Sequence, residues 1–171
     1  MIRRLEEPDI ESLLPLRREA LLSDPFAFSS SPETDVGLDP DFLRKAMRNT
    51  AAQAMFGAFE DDSLVGMVGV YRQDKEKEAH KAGVWGMYVR PAHRGQGLGR
   101  GLLSAAVEFA RSLPGVTHLH LSVSETAPAA LRLYESMGFV TWGTEPAALQ
   151  VDGRSVSIRH MILALADTTV L

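Results

Sequence analysis

Apolar positions change their period several times along the chain, and each change marks an element. Residues 1–5 read as a short strand. Pro8 and Asp9 then open a stretch in which Ile10, Leu13, Leu14, Leu16 and Leu21 recur at helical spacing, predicting a helix that ends near Leu22. The 23–35 segment is too polar for core yet carries Phe26 and Phe28. Aromatics on such a loop either fasten it to the core or line a site. A second helix is predicted over 39–48, with Pro40 at an early position where its missing N–H costs little. Two apolar runs, 52–59 and 64–71, flank Glu60-Asp61-Asp62-Ser63 and predict an antiparallel hairpin. A charged connection over 73–81 leads into a further strand ending at Val89.

Pro91 stops that strand, and a small-residue loop hands over to Leu102, Leu103, Ala106, Val107 and Ala110 at helical spacing, until Pro114-Gly115 ends the helix. Residues 116–124 then alternate, with Leu119, Leu121 and Val123 on one face and His118, His120, Ser122 and Ser124 on the other. Ala130, Leu133, Tyr134 and Met137 stack along one side of a last helix capped by Gly138. Residues 140–142 and 154–163 read as the final strands, with Asp152-Gly153 as a turn between long arms, and 167–171 as a loose tail.

The loop at 94–101, Arg94-Gly95-Gln96-Gly97-Leu98-Gly99-Arg100-Gly101, carries the clearest chemistry. Glycines permit tight turning and leave no side chain between a ligand and the free N–H groups of the first helical turn, where the helix dipole also favours negative charge. That is how a phosphate site is built. Spacing excludes two kinds of phosphate loop. The dinucleotide pattern Gly-x-Gly-x-x-Gly fails, because from Gly95 its last position meets Arg100 and from Gly97 it meets Leu102. The nucleoside-triphosphate loop fails for want of its Lys and Ser or Thr. A plain reversing turn needs one or two glycines, and each extra one costs about 0.5–1 kcal/mol on ordering. Here four fall within seven residues. Arg94 and Arg100 are placed to add charge to a bound anion.

Arg94-x-x-Gly97-x-Gly99, preceded by Tyr88-Val89-x-Pro91, resembles the acetyl-coenzyme A pyrophosphate loop of the GNAT N-acetyltransferase superfamily. A second stretch is similar to that superfamily's Asn-x-x-Ala-x-x-Leu-Tyr-x-x-x-Gly-Phe signature: Ala130, Leu133, Tyr134, Gly138 and Phe139 match, and Ala127 stands where the Asn would be. The resemblance covers nearly the whole chain. It implies an α/β (α+β) fold of the GNAT type, a central mixed, mostly antiparallel sheet of about seven strands flanked by about four helices, in a single domain over 1–171.

The reaction this resemblance implies is acetyl transfer from acetyl-CoA, a co-substrate, to a primary amine of a small molecule or peptide by direct attack. A non-catalytic acyl-CoA-binding sensor is the alternative. The resemblance assigns Arg94, Gly95, Gln96, Gly97, Leu98, Gly99 and Arg100 to the pyrophosphate, with Ala127 and Ala130 beside the coenzyme. Backbone groups of Met87, Tyr88 and Val89 would pair with the pantetheine arm and meet the reacting carbonyl oxygen, and Tyr134 would protonate the departing thiolate. The amine must be neutral to attack, and an unperturbed alkylamine is neutral in only about one molecule in a few thousand at pH 7. A base is therefore expected. Residues 84–89 contain no carboxylate, which leaves Glu33 from the 23–35 loop and His118 or His120 from the polar strand face as candidates. Phe28, Ser29 and Tyr71 are expected against the acceptor, with the 142–154 connection nearby.

Composition narrows the setting. There is no cysteine, which removes disulfides, thiolate metal sites and a cysteine nucleophile and agrees with a reducing compartment; no metal is expected. The first seven residues carry charges where a secretory signal needs apolar residues, and no run approaches the roughly 20 apolar residues of a membrane span, so a cytoplasmic location is expected. A net charge of −4 with mixed signs offers no basic footprint for nucleic acid. The resemblance also allows a homodimer, a common state in that family.

Overall fold

The computed structural model describes residues 1–165, and in chain order its strands and helices are β1 (Ile2–Arg4), α1 (Ile10–Ser23), α2 (Pro40–Arg48), β2 (Gln53–Glu60), β3 (Ser63–Arg72), β4 (Lys81–Val89), α3 (Leu98–Ser112), β5 (His118–Ser124), α4 (Pro128–Ser136), β6 (Val140–Val151) and β7 (Arg154–Ala164). The loose tail expected over 167–171 lies outside the described residues. The strands form one sheet in the order β1-β2-β3-β4-β5-β7-β6, antiparallel throughout except for the parallel pair β4 and β5. This is the mixed, mostly antiparallel sheet with four α-helices that the sequence implies.

Local chemistry accounts for the element boundaries. Asp61 and Asp62, with φ of 45° and 63°, both take the left-handed region that a two-residue hairpin turn demands, so Glu60 and Ser63 pair rather than belonging to a four-residue connection. Asp39 caps α2 by accepting the Asp41 N–H at 2.9 Å, and Pro40 occupies the first turn. The central strand β3 is buried on both faces from Leu64 to Val70, hence its continuous apolar run. Against one face pack Leu102, Leu103, Ala106 and Ala110 of α3 and Tyr134 of α4. Leu13 and Leu16 of α1 and Leu43 and Met47 of α2 cover the other face. Each such leucine contributes about 1.5–3 kcal/mol when fully buried.

Two expectations change. The strand expected over 140–142 runs on to Val151, with irregularities between Thr141 and Gly143 and between Glu145 and Leu149. It lies at the sheet edge, where Pro146 is tolerated and half the residues can face solvent, so the alternation that reveals a strand is missing. Ser124, placed on the open face of β5 by alternation, is 4% exposed and has its hydroxyl paired with that of Thr126 at 2.9 Å.

Candidate active site

β4 and β5 pair only through Lys81 with His118, Ala82 with Leu119 and Gly83 with His120; beyond Gly83 they part. The side of β4 turned toward β5 therefore has no strand to bond from Val84 onward, although β3 still pairs along its other side. Backbone N–H and C=O groups of this kind need partners, and an extended ligand arm can supply them. Between the pairs Gly69–Trp85 and Met67–Tyr88, β4 carries one residue more than β3, and Gly86 absorbs the excess with φ of +64°. Such a bulge re-aims the amides that follow it.

The open end of this gap faces the glycine loop. Gly95 and Gly97 have φ of +76° and +83°, and a Cβ built on either would meet nothing within 4 Å. The loop is exposed from Arg94 to Gly97, and α3 starts at Leu98 with its first N–H groups free of intrahelical partners. An uncovered loop of left-handed glycines before a helix start fits a pyrophosphate. The four glycines divide their work. Gly99 lies near Leu133 and Met87, whereas a Cβ on Gly101 would collide with the Ile2 side chain, so Gly101 is small to admit β1 rather than a ligand. Arg94 donates from Nε to the Val89 carbonyl and from Nη2 to Asp24, both at 2.8 Å, bracing the start of the loop. Arg100 instead donates to Ser136 Oγ at 2.7 Å and ties α3 to α4.

Of the 84–89 stretch, Tyr88 and Val89 stay out of the cavity lining, whereas Val84, Trp85 and Met87 contribute to it. Tyr88 points into the α1 layer, its hydroxyl 3.1 Å from both Glu19 Oε1 and Ser23 Oγ. Met87 and Val89 are half-buried against the α3 side.

A cavity of about 1130 Å³ opens from this gap toward α1 and the 24–38 loop, and its lining includes Met87, Ala127, Ala130 and Tyr134. Tyr134 is 6% exposed, and burial pushes its hydroxyl up to about 12, so the phenol keeps its proton throughout the neutral range. Ala127, where the signature has Asn, precedes α4 with no side-chain cap. Phe28, Ser29 and Tyr71, the residues expected against the acceptor, all line the cavity. Phe26 does not; Arg154 of β7 stacks over its ring at 5.1 Å, fastening the loop. A smaller cavity of about 450 Å³ at Arg3, Arg4, Glu6, Pro8 and Asp9 lies away from the strand gap and is bridged by the Arg3–Asp9 ion pair.

The base candidates sort differently. Glu33 is exposed on a turn closed by the Thr34 N–H to Ser31 C=O bond, outside the cavity lining; the carboxylate that turns inward from this loop is Asp35. His118 is held by Thr117 Oγ1 at 2.8 Å and does not reach the cavity. His120 lines it, and burial first, then Lys81, His118 and His80, push its pKa below the ordinary histidine value. Sequence reasoning gave no role to four of the lining residues: Arg17, which donates to Asp35 from Nε at 3.0 Å and Nη2 at 2.7 Å, and the trio Ser122, Glu145 and His160, although Ser122 lay on the polar face of β5 and Glu145 in the 142–154 connection. Arg17 sits between leucines of a helical face, and the trio comes together only through strand order.

A family model described as the acetyltransferase (GNAT) family matches residues 15–139. The spermidine N(1)-acetyltransferase of Vibrio cholerae is 23% identical over 103 residues, covering 60% of this chain and 60% of that protein. The N-alpha-acetyltransferase RimI of Mycobacterium tuberculosis is 37% identical over 101 residues, 57% of this chain and 58% of that protein. The match thus spans less than two thirds of the length of these curated relatives. A Salmonella typhimurium acetyltransferase solved with acetyl-CoA superposes with a TM-score of 0.85 at 23% identity, covering 100% of this chain and 96% of that one, which shows a shared fold. With the family match spanning most of the chain, from α1 through the glycine loop to Phe139, the chain belongs to the acetyltransferase (GNAT) family.

Proposed function

We propose that this chain, as a single domain, is an acetyl-CoA-dependent N-acetyltransferase acting on a primary amine of a small molecule or peptide by direct attack. The parting of β4 from β5 beyond Gly83, with the glycine loop at its open end, carries this reading. Acetyl-CoA brings the activated acetyl thioester. The residues that fit it are the 95–99 loop for the pyrophosphate, the 87–89 backbone for the pantetheine arm, and Ala127 and Ala130 beside them. An oxygen that gains negative charge during transfer is met by amides already fixed on β4, which need no reorganisation. Tyr134, protonated and buried at the cavity wall, supplies a proton to the leaving sulfur.

The acceptor enters from the side of α1 and the 24–38 loop, where Phe28, Ser29, Tyr71 and Trp142 offer an aromatic and polar wall. The names of the two relatives, one for spermidine and one for N-alpha-acetylation, both speak of amines and support an amine acceptor. A cytoplasmic location and a homodimer belong to the same reading; among the described residues no helix is long and apolar enough to cross a membrane. The test is free-thiol release from acetyl-CoA with polyamines, L-amino acids and peptide N-termini as acceptors. Amine-stimulated release is expected with at least one class, whereas tight coenzyme binding without any stimulated release would overturn the proposal.

A further inference from the structure

We propose that Ser122, His160 and Glu145 form a relay that removes the ammonium proton of the acceptor, an inference that rests on the acetyl-transfer reading above. The three residues come from three strands. Because β7 lies between β5 and β6, Ser122 and His160 are register partners, and Gly143 faces His160 from the other side. Ser122 Oγ is 2.9 Å from His160 Nδ1, and His160 Nε2 is 3.1 Å from Glu145 Oε2. All three line the cavity. The irregularity between Thr141 and Gly143 lets Trp142 stack on the imidazole, with centroids 5.5 Å apart and planes at 27°. With no side chain at Gly143 to compete, that stack and the two hydrogen bonds fix the ring in its plane.

Position and chemistry agree. Gly83–His120 is the last pair before β4 and β5 part, and Ser122 is the next residue of β5 on the same face, so it is the first cavity-facing side chain beside the gap. The Glu145 carboxylate selects the tautomer with the proton on Nε2, which leaves Nδ1 bare to accept from the Ser122 hydroxyl. Ser122 Oγ then has a lone pair for an ammonium N–H. As that proton passes to Ser122 Oγ, the serine's own proton passes to Nδ1. The ammonium becomes a neutral amine, the imidazole becomes an imidazolium facing a carboxylate, and total charge is unchanged. Glu145, with its side chain 57% exposed, opens the Nε2 end to water, where the proton departs after each cycle.

The other charged and titratable groups lining the same cavity are His120 from β5, Tyr134 from α4, the paired Arg17 and Asp35, Tyr71 and Arg72 at the end of β3, and Asp74 just beyond it. His120 is the competing acceptor. Among the described residues it has no hydrogen-bond partner, and burial with the charges of Lys81, His118 and His80 opposes the imidazolium it would have to become.

Two measurements test the relay. Nitrogen-15 titration of the His160 ring in the free protein needs no acceptor. A ring carrying its proton on Nε2 is expected, with that preference weakened in Glu145→Gln; a ring protonated on Nδ1 overturns the relay, because Ser122 could not donate into it. Protein-dependent thiol release from acetyl-CoA, taken above the rate without protein, is then followed with hydroxylamine, which is neutral at pH 7, and with the fastest ammonium-bearing acceptor of the panel above. His160→Gln is expected to lower kcat/KM for the ammonium acceptor by about 10²-fold and for hydroxylamine by far less, and to move the pH limb of the ammonium acceptor upward. Equal losses with both nucleophiles, or a limb that vanishes in His120→Gln and persists in His160→Gln, overturn the relay alone. No protein-dependent release with either nucleophile in the parent overturns acetyl transfer and the relay with it.

Discussion

Arg17 holds Asp35 through two N–H to oxygen bonds, Nε to Oδ1 at 3.0 Å and Nη2 to Oδ2 at 2.7 Å, with side chains only 7% and 2% exposed. The pair joins α1 to the loop that carries Phe28, whose ring also lies 4.6 Å from the guanidinium. Burial pushes the Asp35 carboxyl up, but the bond and charge of Arg17, with Ser30 and the Gly37 N–H, outweigh it and hold the carboxyl below its ordinary value. Asp35→Ala leaves the guanidinium buried without its counter-charge, and a loss of about 3–5 kcal/mol is expected in denaturant unfolding at pH 7. Because the folded-state value is depressed, this stabilisation is fully present above the ordinary carboxyl range of about 3.9 and is lost as pH falls through the folded value. The acid limb of the parent's stability profile should therefore shrink in Asp35→Asn. An unchanged limb would assign it to other carboxylates.

Tyr134→Phe separates packing from proton donation. The ring sits 6.1 Å from Phe139 in the core shared by α3 and α4, and the substitution keeps it. Stability should change little. With the hydroxyl pushed up to about 12, the parent donates from a protonated phenol at every pH at which the protein is assayed. A fall in kcat of about 10²-fold is expected, with KM for acetyl-CoA nearly constant. Equal loss in both parameters, or a drop in unfolding midpoint, would make Tyr134 a packing residue.

What was legible in the sequence was local. The helix over 98–112 announced itself by its 3.6 period, the β2–β3 hairpin by two apolar runs around paired aspartates, and the phosphate loop by glycine spacing. The resemblance implied that the 87–89 backbone would pair with a ligand arm, but the parting of β4 and β5 that frees it was not legible, since no residue in 84–89 reports a missing neighbour. The grouping of Ser122, Glu145 and His160 was invisible for a topological reason: His160 lies 38 residues from Ser122, and the insertion of β7 beside β5 is a property of strand order, not of either segment. Glu33 illustrates the converse. The sequence offered Glu33 as the inward carboxylate of this loop, but a tight turn at 31–34 leaves it in solvent and Asp35 turns inward instead.

Gly97→Ala and Gly101→Ala should part company. At Gly97 the left-handed backbone alone costs a Cβ-bearing residue roughly 1–2 kcal/mol, and the new methyl projects into the open space above the loop. Coenzyme A affinity should drop by about ten-fold or more in calorimetry. At Gly101 the methyl meets the far end of the flexible Ile2 side chain, well inside the helix, where Ala is also the better helix former by about 1 kcal/mol. Affinity there should stay within about two-fold. Similar losses at both positions would mean that the loop does not bind the pyrophosphate through its own backbone.

Arg94 and Asp24 give the loop an electrostatic test. Arg94 Nη2 meets Asp24 Oδ2 at 2.8 Å with both side chains well exposed, so the pair adds little to stability. Its consequence is for charge beside the anion site: Asp24 offsets the one cation that also braces the loop through the Val89 carbonyl. Asp24→Asn should leave the unfolding midpoint unchanged and raise coenzyme A affinity a few-fold at low ionic strength, an advantage that fades near 1 M salt, where the screening length is about 3 Å. Arg94→Lys retains the charge but loses the fixed two-bond brace, and should weaken binding at every salt concentration. A double-substitution cycle measured at both ionic strengths distinguishes these contributions. If Asp24→Asn instead weakened binding, Asp24 would be acting as the anchor that orients Arg94 toward the phosphates, and its positioning role would outweigh its charge.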